Sequence, residues 1–193
     1  MVGVKKIGVL ALQGAFAKHI AMLERLGVQG VEVRKPSDLF ECAGLIIPGG
    51  ESTTILRNIL FIKLREEILN FSKSKPLFGT CAGLILMSKK IVADPFEPFG
   101  ILDIEVERNA YGRQAESFIS NVDVEIDPKH KKSVPAVFIR APRISKVNAG
   151  VDILARLEGD PILVKQGMHL GATFHPELTD DPYIHEYFVQ SVS

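Results

Sequence analysis

A cysteine stands between two glycines directly after an apolar run, in the stretch PLFGTCAGL (residues 76–84). A cysteine thiolate is a nucleophile, and a nucleophile elbow presents such a group at the sharp turn from a strand into a helix. If PLFGT is a strand and AGLILMSK a helix, Cys81 lies at that turn, where Gly79 and Gly83 allow the two elements to approach closely. The sequence therefore favours Cys81 as a nucleophile, with a small buried packing residue as the alternative.

The start of the following helix would assist such a thiol in two ways. Unpaired backbone N–H groups at a helix N-terminus carry a partial positive charge, which favours a thiolate. The same groups, beginning with the N–H of Ala82, can donate hydrogen bonds to an oxyanion that develops during a reaction. We therefore predict Ala82 as one donor of an oxyanion hole.

A nucleophile of this kind needs a base, and one of the five histidines differs from the others. His175 ends an apolar stretch in GATFHPELT, and Glu177 follows it two residues later. In an extended segment residues i and i+2 point the same way, so Glu177 can orient the imidazole and stabilise its charged form. We expect structural or solvated positions for the remaining histidines, which are His19, His130, His169 and His185.

The first half of the chain has the elements that could bring these residues together, because short apolar runs alternate with amphipathic segments. The predicted strands are KIGVLAL (6–12), GVEVRK (30–35), GLIIPGG (44–50) and PLFGT (76–80). The predicted helices are 16–26, 52–71 in one or two pieces with Ser52 as N-cap, and 82–89. This alternation predicts a parallel sheet covered on both faces, with the active site at the carboxyl ends of its strands.

The second half has a different pattern, in which strand candidates follow one another with little helix between them. They are ILDIEVER (101–108), FISNVDVEI (118–126), VPAVFIRA (134–141), VDILARL (151–157), PILVKQG (161–167) and HLGATFHPE (169–177). We expect an antiparallel extension of the sheet, closed by a helix in DPYIHEYFVQSV (181–192).

Length and composition restrict the class of protein. The 193 residues, 46% of them hydrophobic, suit one domain spanning 1–193. Lys plus Arg and Asp plus Glu both number 23, so no net charge favours nucleic acid or an anionic membrane. Two cysteines and an N-terminal apolar run too short for a convincing signal peptide predict a cytoplasmic protein without a metal site.

The combination of GTCAG with a later FHPE resembles the class I, or triad, glutamine amidotransferases. Further stretches resemble one group of them, the glutaminase subunits of pyridoxal 5′-phosphate synthase, over nearly the whole chain. These stretches are IGVLALQGA (7–15), GLIIPGGEST (44–53), ERNAYGRQ (107–114), FIRAPRI (138–144) and FHPELTDD (174–181). Ala110 and Arg143 occupy variable positions of these motifs.

The resemblance implies a flavodoxin-like, three-layer α/β fold and hydrolysis of L-glutamine by a Cys81, His175 and Glu177 triad. It implies a second oxyanion-hole donor in the Gly49-Gly50 turn, either as the turn stands or after its peptide reorients. It also implies a polar group beside the site at Gln13, no cofactor, and a glutamine site lined by Gly50, Glu51, Ser52, Arg108, Ile139 and Arg140. From the residues alone, each arginine can either bind the glutamine carboxylate or form a structural ion pair.

The partner that the resemblance implies is a separate (β/α)₈-barrel synthase subunit, which uses ribose 5-phosphate and glyceraldehyde 3-phosphate and activates glutamine hydrolysis. Twelve glutaminases are expected on a dodecameric synthase core. A glutaminase for another synthase, of the anthranilate, guanylate or imidazole-glycerol-phosphate type, is one alternative, although ERNAYGRQ and FIRAPRI argue against it. A catalytically silent regulatory subunit is the other, although both the nucleophile and the base are present.

Overall fold

The computed structural model describes residues 5–108, 117–127 and 129–192. Its α-helices are α1 (Phe16–Arg25), α2 (Ser52–Phe61), α3 (Arg65–Ser72), α4 (Ala82–Met87) and α5 (Tyr183–Ser191). Short 3-10 helices cover Pro36–Leu39 and Pro176–Leu178. No helix in the described ranges combines the length and apolar character needed to cross a bilayer.

The strands of the described chain divide between two sheets. In the first half they are β1 (Lys6–Leu10), β2 (Gln29–Val33), β3 (Gly44–Ile47), β4 (Leu77–Thr80) and β5 (Ser88–Ile91). In the second half they are β6 (Leu102–Glu107), β7 (Ser117–Asp127), β8 (His130–Ile139), β9 (Arg143–Val147), β10 (Asp152–Leu157), β11 (Asp160–Gln166) and β12 (His169–Ala172).

The larger sheet has the strand order β2-β1-β3-β4-β12-β11-β10-β7-β8. Its pairings from β2 to β12 are parallel, and those from β12 to β8 are antiparallel. This arrangement confirms the predicted α/β fold with a parallel core and an antiparallel extension.

Apolar residues on both faces of the parallel strands explain why these strands read as continuous hydrophobic runs. In β3, Leu45 and Ile47 pack into one hydrophobic cluster and Ile46 into another, and all three are fully buried. Helices α2, α3 and α4 contribute to the first cluster, and α1 and α5 contribute to the second. The sheet is therefore the middle of three layers.

The order of the strands places the two halves of the predicted triad at one edge. Strands β4 and β12 are parallel neighbours, with Thr80 paired to Ala172 at their carboxyl ends. Cys81 follows β4 directly, and His175 lies shortly after β12. Two segments that are distant in the sequence therefore meet at the same edge of the sheet.

A second sheet, of order β5-β6-β9, was not expected from the sequence. The segment ILDIEVER, predicted as part of the antiparallel extension, forms the central strand of this sheet instead. Its alternate residues Leu102, Ile104 and Val106 are fully buried in the cluster that also holds the face of α4. Pairing with β6 also explains why α4 ends at Met87 rather than at residue 89, since β5 begins at the next residue.

The predicted N-cap of α2 was wrong by one residue. Glu51, not Ser52, is the N-cap, and its carboxylate accepts hydrogen bonds from the backbone N–H groups of Thr53 (3.2 Å) and Thr54 (2.8 Å). Ser52 is already helical and buried. A carboxylate at this position satisfies two otherwise unpaired donors and also complements the positive end of the helix.

Candidate active site

The turn that carries Cys81 is sterically demanding. Cys81 has φ 47° and ψ −104°, a backbone conformation that few residues other than glycine adopt. A Cβ on Gly79 would lie 2.6 Å from the carbonyl carbon of Gly83, and a Cβ on Gly83 would lie 1.9 Å from the carbonyl oxygen of Ile47. The close approach of β4 and α4 therefore requires glycine on both sides of the cysteine.

The thiol of Cys81 lies at the N-terminus of α4, where the helix offers unpaired donors. Cys81 is the N-cap residue, and Ala82 is the first residue of the helix, so its N–H has no intrahelical partner. The sulfur is 3.8 Å from the carbonyl oxygen of Ile139, at the end of β8. A negative charge on or beside the sulfur would meet the positive end of α4.

The imidazole of His175 is held by Glu177. Nδ1 of His175 is 2.7 Å from Oε1 of Glu177, and both residues are buried. The backbone N–H of His175 donates to the carbonyl oxygen of Val137 at 2.8 Å, which fixes this segment to β8. Glu177 is therefore placed to orient the ring through Nδ1, leaving Nε2 as the other functional nitrogen.

The local geometry behind this contact differs from the predicted one. Strand β12 ends at Ala172, and the 3-10 helix Pro176–Leu178 begins directly after His175. The prediction of an extended segment here was therefore wrong, although the predicted pair does meet. A tight helical turn, with proline at its first position, brings Glu177 back against the imidazole.

Burial and two neighbouring groups act on the pKa of His175 in opposite directions. Burial by itself would lower this pKa, but hydrogen bonding to Cys81 and Glu177, together with their negative charges, raises it to about 10. Burial would likewise raise the pKa of Glu177, but its contacts with His19 and His175 lower it. The site therefore favours a charged imidazolium on His175 beside an ionised Glu177.

Hydrogen bonds to the N–H and to the carbonyl oxygen of Gly49 hold the Gly49-Gly50 turn in place. The N–H of Gly49 donates to Oγ1 of Thr80 at 3.1 Å, and its carbonyl oxygen accepts from the N–H of Ala15 at 3.1 Å. A trans peptide directs its N–H opposite to its carbonyl oxygen, so the N–H of Gly50 points away from Ala15. A Cβ on Gly49 would lie 2.3 Å from Cε1 of His175, so no larger residue fits between the turn and the imidazole.

Gln13 supports this turn from the outside. Its Oε1 accepts a hydrogen bond from the backbone N–H of Glu51 at 2.8 Å. Strand β1 ends at Leu10, two residues before the predicted end at residue 12, and Gln13 lies in the bend that follows. Gln13 thus contacts the backbone of Glu51, which lines the cavity, but does not line the cavity itself.

A cavity of about 280 Å³ opens above the thiol. Nine of the predicted residues line it, namely Gly50, Glu51, Ser52, Cys81, Ala82, Arg108, Ile139, Arg140 and His175. Gly49, Gln13 and Glu177 lie behind this lining. Ile85 also lines the cavity and was missed, although its position one helical turn after Cys81 could have indicated it.

The two arginines of the cavity differ in their surroundings. Arg108 is 2.9 Å from a carboxylate oxygen of Asp94 and 3.5 Å from one of Glu51. Arg140 is exposed, has φ 44°, and has no acidic partner within the described ranges. Within the motif ERNAYGRQ, residues 109–114 lie outside the described residues.

Sequence reasoning also missed His19, which belongs to the surroundings of the triad. It is fully buried in α1, with Nε2 3.5 Å from Oε2 of Glu177. Burial lowers the pKa of His19, so its ring is neutral near pH 7. A histidine on the apolar face that includes Phe16 and Leu23 is a signal for a buried polar group that needs a partner.

Comparison with known proteins agrees with this geometry. Residues 9–193 match the model of the SNO glutamine amidotransferase family. The chain is 50% identical to "Pyridoxal 5′-phosphate synthase subunit PdxT" of Solibacter usitatus over 191 residues, covering 97% of this chain and 100% of that protein. It is 48% identical to the protein of the same name from Thermosipho africanus over 188 residues, covering 97% and 98% of the two chains.

Solved structures show the same similarity. A crystal structure of a glutamine amidotransferase superposes with a TM-score of 0.91 at 47% identity and covers 98% of this chain and 99% of that one. The structure of PurLQS from Thermotoga maritima has a TM-score of 0.72 at 18% identity, covers 98% of both chains, and supports the fold alone.

Proposed function

The chain belongs to the SNO glutamine amidotransferase family, and from this premise we propose that it is the glutaminase subunit of pyridoxal 5′-phosphate synthase. In this role it hydrolyses L-glutamine to L-glutamate and ammonia. The observation that carries the proposal is the His175–Glu177 pair, with His175 and Cys81 both in the lining of one cavity large enough for an amino acid.

The reaction begins when the Cys81 thiolate attacks the carboxamide carbon of glutamine. The imidazolium of His175 then gives its proton to the departing nitrogen, so ammonia leaves and a thioester remains. The neutral imidazole next removes a proton from water, and the resulting hydroxide attacks the thioester. The C–S bond then breaks, which releases glutamate, restores the thiolate beside the imidazolium, and leaves the proton of the new carboxyl group to solvent. Glu177 holds the ring and stabilises its charged form throughout.

Two backbone donors would stabilise the tetrahedral oxyanion. The N–H of Ala82 is free at the start of α4, and the N–H of Gly50 belongs to the turn beside the thiol. Gly49 is the weaker candidate of the two glycines, because its N–H is already bonded to Thr80. We therefore assign the second donor to Gly50.

Recognition of the glutamine backbone would use the outer part of the cavity. We assign the α-carboxylate to Arg140, since its guanidinium has no acidic partner in the described ranges, whereas Arg108 is engaged by Asp94 and Glu51. Glu51, Ser52 and Ile139 complete the wall around the substrate. A glutamine bound in this way directs its carboxamide toward the sulfur.

A separate synthase subunit would receive the ammonia. Ammonia released into neutral water becomes ammonium and is lost, so direct transfer requires a partner on the glutaminase. The names of the similar proteins describe a subunit of pyridoxal 5′-phosphate synthase. We propose that the partner is a (β/α)₈ barrel, that twelve copies of each chain assemble, and that the partner activates hydrolysis.

We further propose that residues 1–193 act as one domain in the cytoplasm. One face of the main sheet is covered by α1 and α5, from opposite ends of the chain, so no segment of the described ranges has a separate core. Both cysteines are buried and unpaired, which suits a reducing compartment.

The test is ammonia release from glutamine with and without the barrel synthase. We expect little release from the isolated chain, and strong stimulation by the synthase. A glutamine-analogue electrophile such as 6-diazo-5-oxo-L-norleucine should label Cys81 in the complex. Full activity without the synthase would contradict activation by it, and stimulation only by a different synthase would assign another pathway. Absence of both labelling and release in the complex would indicate a silent regulatory subunit.

A further inference from the structure

Three polar side chains form a fully buried cluster behind the triad. His19 on α1, Thr80 at the end of β4 and His185 on α5 are each 0% exposed. None of them lines the cavity above the thiol. The chemical steps proposed above make no use of these residues, yet buried polar groups cost free energy unless they are hydrogen-bonded.

The cluster has His19 at its centre. Its Nε2 lies 3.2 Å from Oγ1 of Thr80 and 3.5 Å from Oε2 of Glu177, and its Nδ1 lies 2.9 Å from Nε2 of His185. Oε2 of Glu177 is buried and has no hydrogen-bond partner within the described ranges, so Nε2 of His19 is the polar group that approaches it, at 3.5 Å. His19 therefore faces the side of the carboxylate that His175 does not use.

The charge of Glu177 determines which ring nitrogen of His19 carries the hydrogen. The carboxylate can only accept hydrogen bonds, because its pKa is lowered by His19 and His175 against the effect of burial. The neutral ring of His19 has one N–H, and a lone pair on Nε2 would repel the carboxylate. Nε2 therefore carries the hydrogen, and Nδ1 accepts from the Nε2–H of His185.

Thr80 extends the cluster to the other side of the active site. Its Oγ1 accepts the hydrogen bond from Gly49 at 3.1 Å as well as facing Nε2 of His19. A hydroxyl oxygen has two lone pairs, so both donors can be accommodated. The contacts thus run from Glu177 through His19 and Thr80 to the turn that holds Gly50.

We propose that His19 is a positioning residue that, together with Thr80, ties the orienting carboxylate of the triad to the oxyanion turn. This inference rests on the proposed glutaminase function. His19 does not touch glutamine, but it fixes Glu177, and Thr80 fixes the peptide beside the thiol. One buried cluster therefore sets the geometry of both the base and the oxyanion donor.

The test compares two replacements of His19 in the complete complex with the synthase. The amide of asparagine reaches the position of Nδ1 and can keep the contact with His185, whereas the amide of glutamine reaches the position of Nε2. His19→Asn should lower kcat about 10- to 100-fold with KM unchanged, since only the supporting contacts are lost. His19→Gln should restore most of kcat. Exposed His130, which contacts Asp127 and does not line the cavity, gives the matched control His130→Asn, which should leave kcat unchanged.

The pH profile separates positioning from packing. Glu177 is faced by His19 from α1 and by His175 from its own segment, and His185 faces His19 from α5. Without the ring of His19 facing Oε2 at 3.5 Å, the carboxylate of Glu177 is less stabilised, so its pKa rises and the acid limb of kcat/KM moves to higher pH. A His19→Asn variant with the parent kcat and acid limb would overturn the proposal, and so would equal losses in the Asn and Gln variants.

A second pair of variants tests the link to the turn. Thr80→Val keeps the shape but removes the acceptor of Gly49 N–H, and should lower kcat about 10- to 100-fold. Thr80→Ser keeps the hydroxyl and should retain most of kcat. If His19→Asn does not fold, Thr80→Val and Thr80→Ser test the proposal instead. Equal activity in these two variants would overturn it. An inactive parent complex would instead refute the proposed function, which the variants do not address.

Discussion

The two sides of the cavity are built differently. On the side that would carry out the covalent chemistry, Cys81, His175 and Glu177 are 7%, 7% and 4% exposed, and a buried contact joins His175 to Glu177. On the side that would recognise the glutamine backbone, Ile139 is 39% exposed and Arg140 lies at the surface. The chemical side is fixed before substrate arrives, whereas the recognition side is open.

Because of this difference, substitutions on the two sides should affect different kinetic constants, kcat on one side and KM on the other. Preorganised donors and charges act on the transition state without reorganisation, so changes on the chemical side should reduce kcat. An exposed arginine contributes to binding in the ground state and the transition state alike, so changes on the recognition side should raise KM. Substitutions on each side of the cavity test whether effects on kcat and on KM are divided in this way.

Cys81→Ala should have the largest effect. Without the sulfur no thioester forms, and we expect the rate of ammonia release in the synthase complex to fall about 10⁴-fold or more. The fold should be retained, because the neighbouring glycines remain and alanine fits the same small space. Ammonia release and the circular dichroism melting curve of the same preparation check both points, and turnover at the parent rate would refute the nucleophile.

Glu177→Gln should follow, with a loss in kcat of about 10²- to 10⁴-fold. It should also change the pH dependence of kcat/KM. In the parent the imidazolium of His175 persists up to its pKa of about 10 and is lost above it, so activity should fall only at strongly alkaline pH. Removing the carboxylate charge lowers this pKa, and the alkaline limb should move to lower pH. An unshifted limb would show that Glu177 does not stabilise the charged ring.

Arg140→Ala should have a smaller effect, mainly on binding. Loss of a charged hydrogen bond to the glutamine carboxylate should raise KM about 10- to 100-fold and leave kcat near that of the parent. Arg108→Ala is the matched comparison, because it removes a guanidinium that is already paired with Asp94 and Glu51. It should raise KM less than Arg140→Ala does. The reverse order of the two KM values would assign the carboxylate to Arg108.

Glu51→Ala should have the smallest effect, seen in the stability of the glutamine-free chain. Loss of the N-cap of α2 should cost about 1 kcal/mol and lower Tm by about 2–4 °C. Ser52→Ala removes no capping hydrogen bond and should leave Tm higher than Glu51→Ala does. Thermal unfolding of both variants is the measurement, and a larger loss in Ser52→Ala would contradict the cap seen in the structure.

The parts of the fold that were predictable from sequence are those with a strong local pattern. Apolar runs separated by amphipathic helices indicated β1 to β4, and the glycines around Cys81 indicated the elbow. The strand order was less accessible, because the pairing of β4 with β12 joins segments that no local pattern connects. The pairing of Cys81 with His175 was therefore inferred from the chemistry that a nucleophile requires.

The features that sequence reasoning missed depend on tertiary contacts. Strand β5 contains Lys89 and Lys90, and its conformation is set by pairing with β6 rather than by its own propensity. Packing decides whether the segment at Glu177 is extended or forms a 3-10 turn. Packing also decides whether Glu51 or Ser52 caps α2. His19 carried a usable signal, since a polar ring on an apolar helix face requires a buried partner.

The place of β12 in the middle of the sheet also bears on how the enzyme is made. Ribosomes synthesise the elbow long before the segment that contains His175, and β12 must insert between β4 and β11 before thiol and imidazole can meet. A nascent or truncated chain thus holds an incomplete set of reactive groups. The thiol and the imidazole can therefore come together only after residues 169–175 have been synthesised.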